Sequence, residues 1–168
     1  MITFVLGGAR SGKSDIAERL ALAGAGTGPV RYLATGWADP DDDDMAARID
    51  RHRGRRADRF ETVEAGADLV AALRTEPATP VLVDSIGTWV ARHPDFVVPA
   101  DDLVAALTAR VATTVVVSDE VGLGVHPETA TGRQFRDALG TLNQQIAAVA
   151  ATSYLVVAGR VLVLGDPP

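Results

Sequence analysis

The run Gly7-Gly8-Ala9-Arg10-Ser11-Gly12-Lys13-Ser14 carries the most specific chemical signal in the chain. Its spacing, a glycine, four residues, then glycine, lysine and a hydroxyl side chain, is that of a loop that wraps phosphate. Glycines let the backbone curl until several N–H groups face one anion, and the helix that follows adds its positive end. Lys13 would set an ammonium on the outer phosphates, and Ser14 would offer a hydroxyl to magnesium. Asp84 closes the apolar run Val81-Leu82-Val83. A strand there would carry a carboxylate at its tip, aimed at the same cation or its water shell. Capping the next segment is the alternative role for Asp84. Together these residues imply phosphoryl transfer from a nucleotide.

A second cluster lies between Met45 and Arg59, where Arg48, Arg51, Arg53, Arg55, Arg56 and Arg59 surround His52 in a chain of net charge −6. Three roles fit it. The arginines could form a solvated helical face that balances Asp41–Asp44. They could instead form a platform for a triphosphate, since guanidinium forks match phosphate oxygens. Or His52 could attack a nucleotide's inner phosphorus and hold the nucleotidyl group before passing it on. Neighbouring arginines would then keep the imidazole neutral and stabilise charge on the phosphoryl oxygens. The residues alone leave all three open. His52, His93 and His126 lie in separate segments without metal-ligand spacing, and His93-Pro94 and His126-Pro127 read as turns.

The elements that must position these residues follow from the apolar pattern. Short continuous runs at Ile2–Leu6, Val30–Ala34, Val81–Ile86, Thr114–Ser118, Tyr154–Val157 and Val161–Leu164 suit strands buried on both faces. Helical patterns lie between most of them, at Ser14–Ala25, Asp44–Arg55, Ala67–Arg74, Asp101–Ala112 and Thr131–Ala151. This alternation predicts an α/β fold with a mainly parallel sheet flanked by helices. Ala158-Gly159-Arg160 is too short for a helical crossover, so the sheet should finish with a C-terminal antiparallel hairpin. Asp39–Asp44 reads as a solvated loop, and Gly24–Pro29 and His93–Pro99 as further turns.

The composition sets outer bounds. With 168 residues, 47% of them hydrophobic, the chain is expected to form one domain over residues 1–168. Its acidic balance gives no general attraction to nucleic acid or anionic lipid. No cysteine is present, which excludes disulfides and thiolate metal sites. No apolar run reaches the roughly 20 residues of a membrane span. The start is strand-like rather than a secretion signal, so a cytoplasmic location is expected.

Several segments in order resemble the bifunctional adenosylcobinamide kinase/adenosylcobinamide-phosphate guanylyltransferase family of cobalamin biosynthesis. They are the phosphate loop, Tyr32-Leu33-Ala34-Thr35, Met45–Ile49 with His52-Arg53, and Thr62-Val63-Glu64. Next come Val81–Asp84 with Trp89-Val90 and Glu120-Val121-Gly122 with Pro127-Glu128. The last are Phe135-Arg136-Asp137 with Asn143-Gln144 and Tyr154–Gly159. The resemblance implies a P-loop NTPase-like (RecA-like) domain. It would phosphorylate adenosylcobinamide with ATP or GTP, and then transfer GMP from GTP to that phosphate, giving adenosyl-GDP-cobinamide. By the same match, His52 is the catalytic residue that becomes guanylylated. Gly8, Ala9, Arg10, Ser11, Gly12, Lys13, Ser14, Ala34, Thr35, Gly36, Arg53, Gly54, Arg55, Arg56, Glu64 and Asp84 fall on nucleotide-binding positions, with Mg2+ at Ser14 and Asp84. A homotrimer is implied as well. The chain departs from the family pattern at Ser85, where cysteine is common, and at Asp119, where asparagine is common. It departs again at Gly36-Trp37 and in a shortened stretch between Val90 and Ala100.

Overall fold

A computed structural model describes residues 1–36 and 58–165 of the chain. Seven strands form one sheet: β1 (Ile2–Gly7), β2 (Val30–Ala34), β3 (Phe60–Glu64), β4 (Val81–Asp84), β5 (Thr114–Asp119), β6 (Thr152–Val157) and β7 (Arg160–Leu164). Their spatial order is β3-β2-β4-β5-β1-β6-β7, and every pairing is parallel except the final β6–β7 hairpin. The described helices are α1 (Lys13–Gly24), α2 (Leu69–Arg74), α3 (Ile86–Ala91), α4 (Ala100–Thr108) and α5 (Ala130–Val149).

Successive strand residues point to opposite faces, so each central strand feeds two cores. Phe4, Leu33, Val81, Val83 and Val116 face a layer that includes Leu69, Trp89, Leu103, Leu107, Leu139 and Ile146. Their neighbours Val5, Tyr32, Leu82, Val115 and Val117 pack against Ile16, Ala17 and Ala21 of α1 on the other side. That double burial explains why these strands read as unbroken apolar runs. The hairpin turns through Ala158 (φ 50°) and Gly159 (φ 72°). Left-handed conformations at both central residues match the right-handed twist of the flanking strands.

Three elements differ from the sequence expectation. The apolar run Val81–Ile86 splits, because the strand stops at Asp84 and Ser85 caps α3. The Ser85 hydroxyl accepts from the Thr88 N–H, and the Thr88 hydroxyl accepts from the Ser85 N–H, a capping box that starts a helix at Ile86. Capping is therefore the work of Ser85 and not of Asp84. β3 adds an edge strand with no expected counterpart; its residues are half-buried or exposed, so it lacks an apolar run. Inside the expected loop His93–Pro99 lies a 3-10 turn at Pro94–Phe96. The loop at Asp39–Asp44 and the helix at Asp44–Arg55 lie outside the described residues.

At the end of the sheet opposite Asp84 and Asp119, Arg110 is buried and gathers carbonyls that the α2–β4 connection leaves unpaired. Its guanidinium donates to Leu73 O (2.6 Å), Thr79 O (2.5 Å) and Thr114 Oγ1 (3.2 Å). Burial first, and then the nearby Arg31 charge, lower its pKa, against a smaller upward pull from Glu76. Arg110→Met keeps the length of the stem and orphans those acceptors. We expect it to lower unfolding free energy by about 3 kcal/mol, measured by urea denaturation.

Candidate active site

β1 ends at Gly7, and the chain turns through Gly8–Gly12 into α1. Arg10 (φ 56°) and Gly12 (φ 91°) adopt left-handed conformations that curl the backbone. Gly7 is required by packing, since a Cβ there would lie 2.5 Å from Ser11 Oγ and 2.8 Å from Val156 O. The loop is pinned by Ser11 N–H on Gly8 O (3.3 Å) and by Gly159 N–H of the hairpin turn on Ser11 O (2.8 Å). Gly12, the N-cap of α1, supplies no side-chain cap. Ser11 Oγ is buried with no hydrogen-bond partner among the described residues. A helix start without a capping side chain and a buried, unsatisfied hydroxyl together suit an anion rich in acceptor oxygens.

Lys13 is almost completely buried, and its ammonium donates to Gly8 O (3.2 Å) and pairs with Asp119 Oδ1 (2.8 Å). Asp119 ends β5, directly opposite Gly7 in the parallel register. Glu120 N–H donates to Gly7 O (3.1 Å), and Asn143 Nδ2 donates to Asp119 O (3.1 Å). Asn143 is itself held by the Ser118 hydroxyl (2.6 Å). The sequence marks Asp119 only as a departure from the family pattern, because nothing local says that β5 lies beside β1.

Asp84 sits at the tip of β4, two strands from β1, or about 10 Å by the usual strand spacing. Tyr32 donates its phenol O–H to Asp84 Oδ2 (2.6 Å), fixing the carboxylate from inside the sheet. Ser14 is buried at the start of α1. A hydroxyl and a carboxylate are hard oxygen donors of the kind magnesium takes alongside phosphate and water. Among the described residues no group of three or more His, Cys, Asp or Glu is placed to hold a metal.

Further along the same sheet edge, Ala34-Thr35-Gly36 leave β2. Thr35 is fully buried, and its hydroxyl bonds Ser85 O (2.6 Å), Ser85 N–H (2.9 Å) and Thr88 Oγ1 (2.6 Å). Its hydroxyl thus braces the turn after Asp84 rather than facing outward. Arg92 donates to Thr35 O (2.8 Å) and Gly36 O (3.0 Å), holding that segment from the C-cap of α3. Glu64 ends β3, four strands from β1, roughly 19 Å away. The structure therefore gathers Gly8–Ser14 with Asp119, places Asp84 within one intervening strand, and sets Ala34–Gly36 and Glu64 at the far end of the same edge. His52, Arg53, Gly54, Arg55 and Arg56 lie outside the described residues. His93 Nδ1 lies 2.9 Å from Trp89 O, and His126 Nδ1 lies 2.9 Å from an Arg136 nitrogen, each within local structure.

Residues 3–164 match the family described as cobinamide kinase/cobinamide phosphate guanyltransferase. The chain belongs to this family. It is 37% identical to the bifunctional adenosylcobalamin biosynthesis protein CobU of Escherichia coli (strain K12), over 95% of this chain and 97% of that protein. It is 36% identical to the corresponding CobP of Pseudomonas aeruginosa, over 100% and 99% of the two chains. In fold it resembles the flagellar accessory protein FlaH of Methanocaldococcus jannaschii, at TM-score 0.51 and 18% identity, over 97% of this chain and 77% of that one. The architecture is the P-loop NTPase-like one that the family resemblance implies, with the mainly parallel sheet and flanking helices that the alternating elements predict.

In this cobinamide kinase/guanyltransferase chain the Tyr32–Asp84 contact generates a test. Tyr32→Phe removes the bond and keeps the ring. A partner behind a carboxylate that ligates a metal is worth roughly 10–100-fold, so with Asp84 as a candidate magnesium ligand, magnesium-dependent nucleotide affinity is expected to fall about 10-fold, read by titrating magnesium at fixed nucleotide.

Proposed function

We propose that the chain, as one domain over residues 1–168, catalyses two successive transfers onto adenosylcobinamide. In the first, the substrate hydroxyl attacks the terminal phosphorus of ATP or GTP, a P–O bond to the nucleoside diphosphate breaks, and the hydroxyl proton is lost. In the second, an imidazole nitrogen of His52 attacks the α-phosphorus of GTP and pyrophosphate leaves. A phosphate oxygen of adenosylcobinamide phosphate then displaces the imidazole, giving adenosyl-GDP-cobinamide. The observation that carries this reading is a phosphate-ready loop at the head of α1 in a chain that matches the kinase/guanyltransferase family from residue 3 to residue 164.

Each group has a job in that chemistry. Backbone N–H groups of Gly8–Ser14 orient the phosphates, and Lys13 stabilises charge as it develops on them. Ser14 and Asp84 would hold magnesium, which when bound neutralises charge on the phosphate oxygens. Ala34, Thr35, Gly36, Arg53, Gly54, Arg55, Arg56 and Glu64 are assigned to the nucleotide, and the Thr35 hydroxyl also braces its segment. Among the described residues no helix is long and apolar enough to cross a membrane, and we place the protein in the cytoplasm. Incubation with magnesium and α-labelled GTP, followed by denaturation, should leave acid-labile, alkali-stable label on the wild-type protein and none on His52→Ala. A wild-type protein that binds GTP yet takes no label would reduce the function to the kinase step.

The protein is also assigned as a homo-oligomer, a trimer by the family resemblance. What supports it is β7, whose Val161, Leu162 and Val163 are 47%, 59% and 63% exposed, beside Val157 at 60%. An edge strand this apolar is ordinarily covered. Val163→Glu should shift the protein to monomer, as read by light scattering behind a sizing column.

A further inference from the structure

The Lys13–Asp119 pair carries an inference that rests on the phosphate reading of the loop. Lys13 is the loop residue whose charge suits the outer phosphates, yet its ammonium is already engaged by Asp119 Oδ1 at 2.8 Å and Gly8 O at 3.2 Å. An ammonium this buried needs an anionic partner. The carboxylate is no wandering surface group, whose pairing would contribute little. Its backbone is fixed opposite Gly7 by the β1–β5 register, by Glu120 N–H on Gly7 O, and by Asn143 on Asp119 O. Room for its second oxygen comes from Gly87 in the first turn of α3, where any Cβ would overlap Asp119 Oδ2. A carboxylate held there competes with phosphate for one cation and repels the phosphate oxygens.

We propose that Asp119 is a built-in competitor for the nucleotide: it holds the Lys13 ammonium at the base of the loop and gives it up to phosphate on binding. It is a positioning residue that acts through Lys13, and the observed nucleotide affinity includes the loss of this ion pair. Removing the carboxylate charge should therefore tighten binding, and only where Lys13 is present to benefit.

The test is calorimetric titration of the full chain with a non-hydrolysable imido analogue of GTP, with and without magnesium. Asp119→Asn is expected to lower Kd by roughly 3- to 30-fold, inside the roughly 2- to 150-fold span of couplings between residues in contact. Asp119→Ala should move in the same direction, so the result does not hang on one variant folding. In a Lys13→Gln background the gain should disappear. Unchanged or weaker binding by both Asp119 variants overturns the proposal, and weakening confined to magnesium would make Asp119 a metal-shell group instead. An equal gain in the Lys13→Gln background also overturns it, because the effect would then be simple repulsion. Failure of the wild type and of both Asp119 variants to bind overturns the phosphate reading together with this one.

Discussion

The head of α1 is a helix start with no side chain to finish it, and much of the surrounding structure exists to hold it that way. Ordinarily a serine, threonine or aspartate at the N-cap would accept from the first-turn N–H groups. Here Gly12 occupies that position in a left-handed conformation and provides no cap. The arrangement is tolerable because the loop before it is tied on two sides: to itself through Ser11 and Gly8, and to the hairpin through Gly159. Unsatisfied donors are thus kept at a fixed place rather than relaxing onto water or onto each other. Gly7 makes the tie possible, since no other residue leaves space for Ser11 beside Val156.

From this constraint the layout of the sheet edge follows. Parallel strands end on one side, so residues far apart in sequence arrive on a single line. Gly7, Asp119, Asp84, Ala34 and Glu64 each close a strand on that line. The groups just behind them decide how they present themselves. Tyr32 turns one oxygen of Asp84, Asn143 fixes the backbone of Asp119, and Arg92 holds the carbonyls of Thr35 and Gly36. Each is a chemical group on one element reaching a strand tip on another.

Legibility in the sequence divided along the same boundary. The phosphate loop could be read because all its residues are contiguous and its physics is local. Central strands could be read because burial on both faces leaves unbroken apolar runs, and the hairpin because three residues cannot span a crossover. β3 could not, for an edge strand with exposed residues lacks that run. The start of α3 was hidden because Ile86 continues the apolar stretch of β4, although Ser85 and Thr88 have the spacing of a capping box. The partners of Lys13 and Asp84 depend on strand order, which no single segment encodes. Thr35 shows the converse: the family resemblance singled it out, but the burial of its hydroxyl against Ser85 and Thr88 required the packed structure.

The contact between Gly159 and Ser11 also bears on how the chain is made. The loop at residues 8–14 is synthesised well before the amide that closes it, which belongs to the turn between β6 and β7. β6 is likewise the outer neighbour of β1. A growing chain that had completed every element through α5 would still lack one wall of its phosphate loop. The finished geometry of the phosphate loop therefore waits for the β6–β7 hairpin, and a nascent chain cannot capture nucleotide in that geometry before β6 has paired with β1.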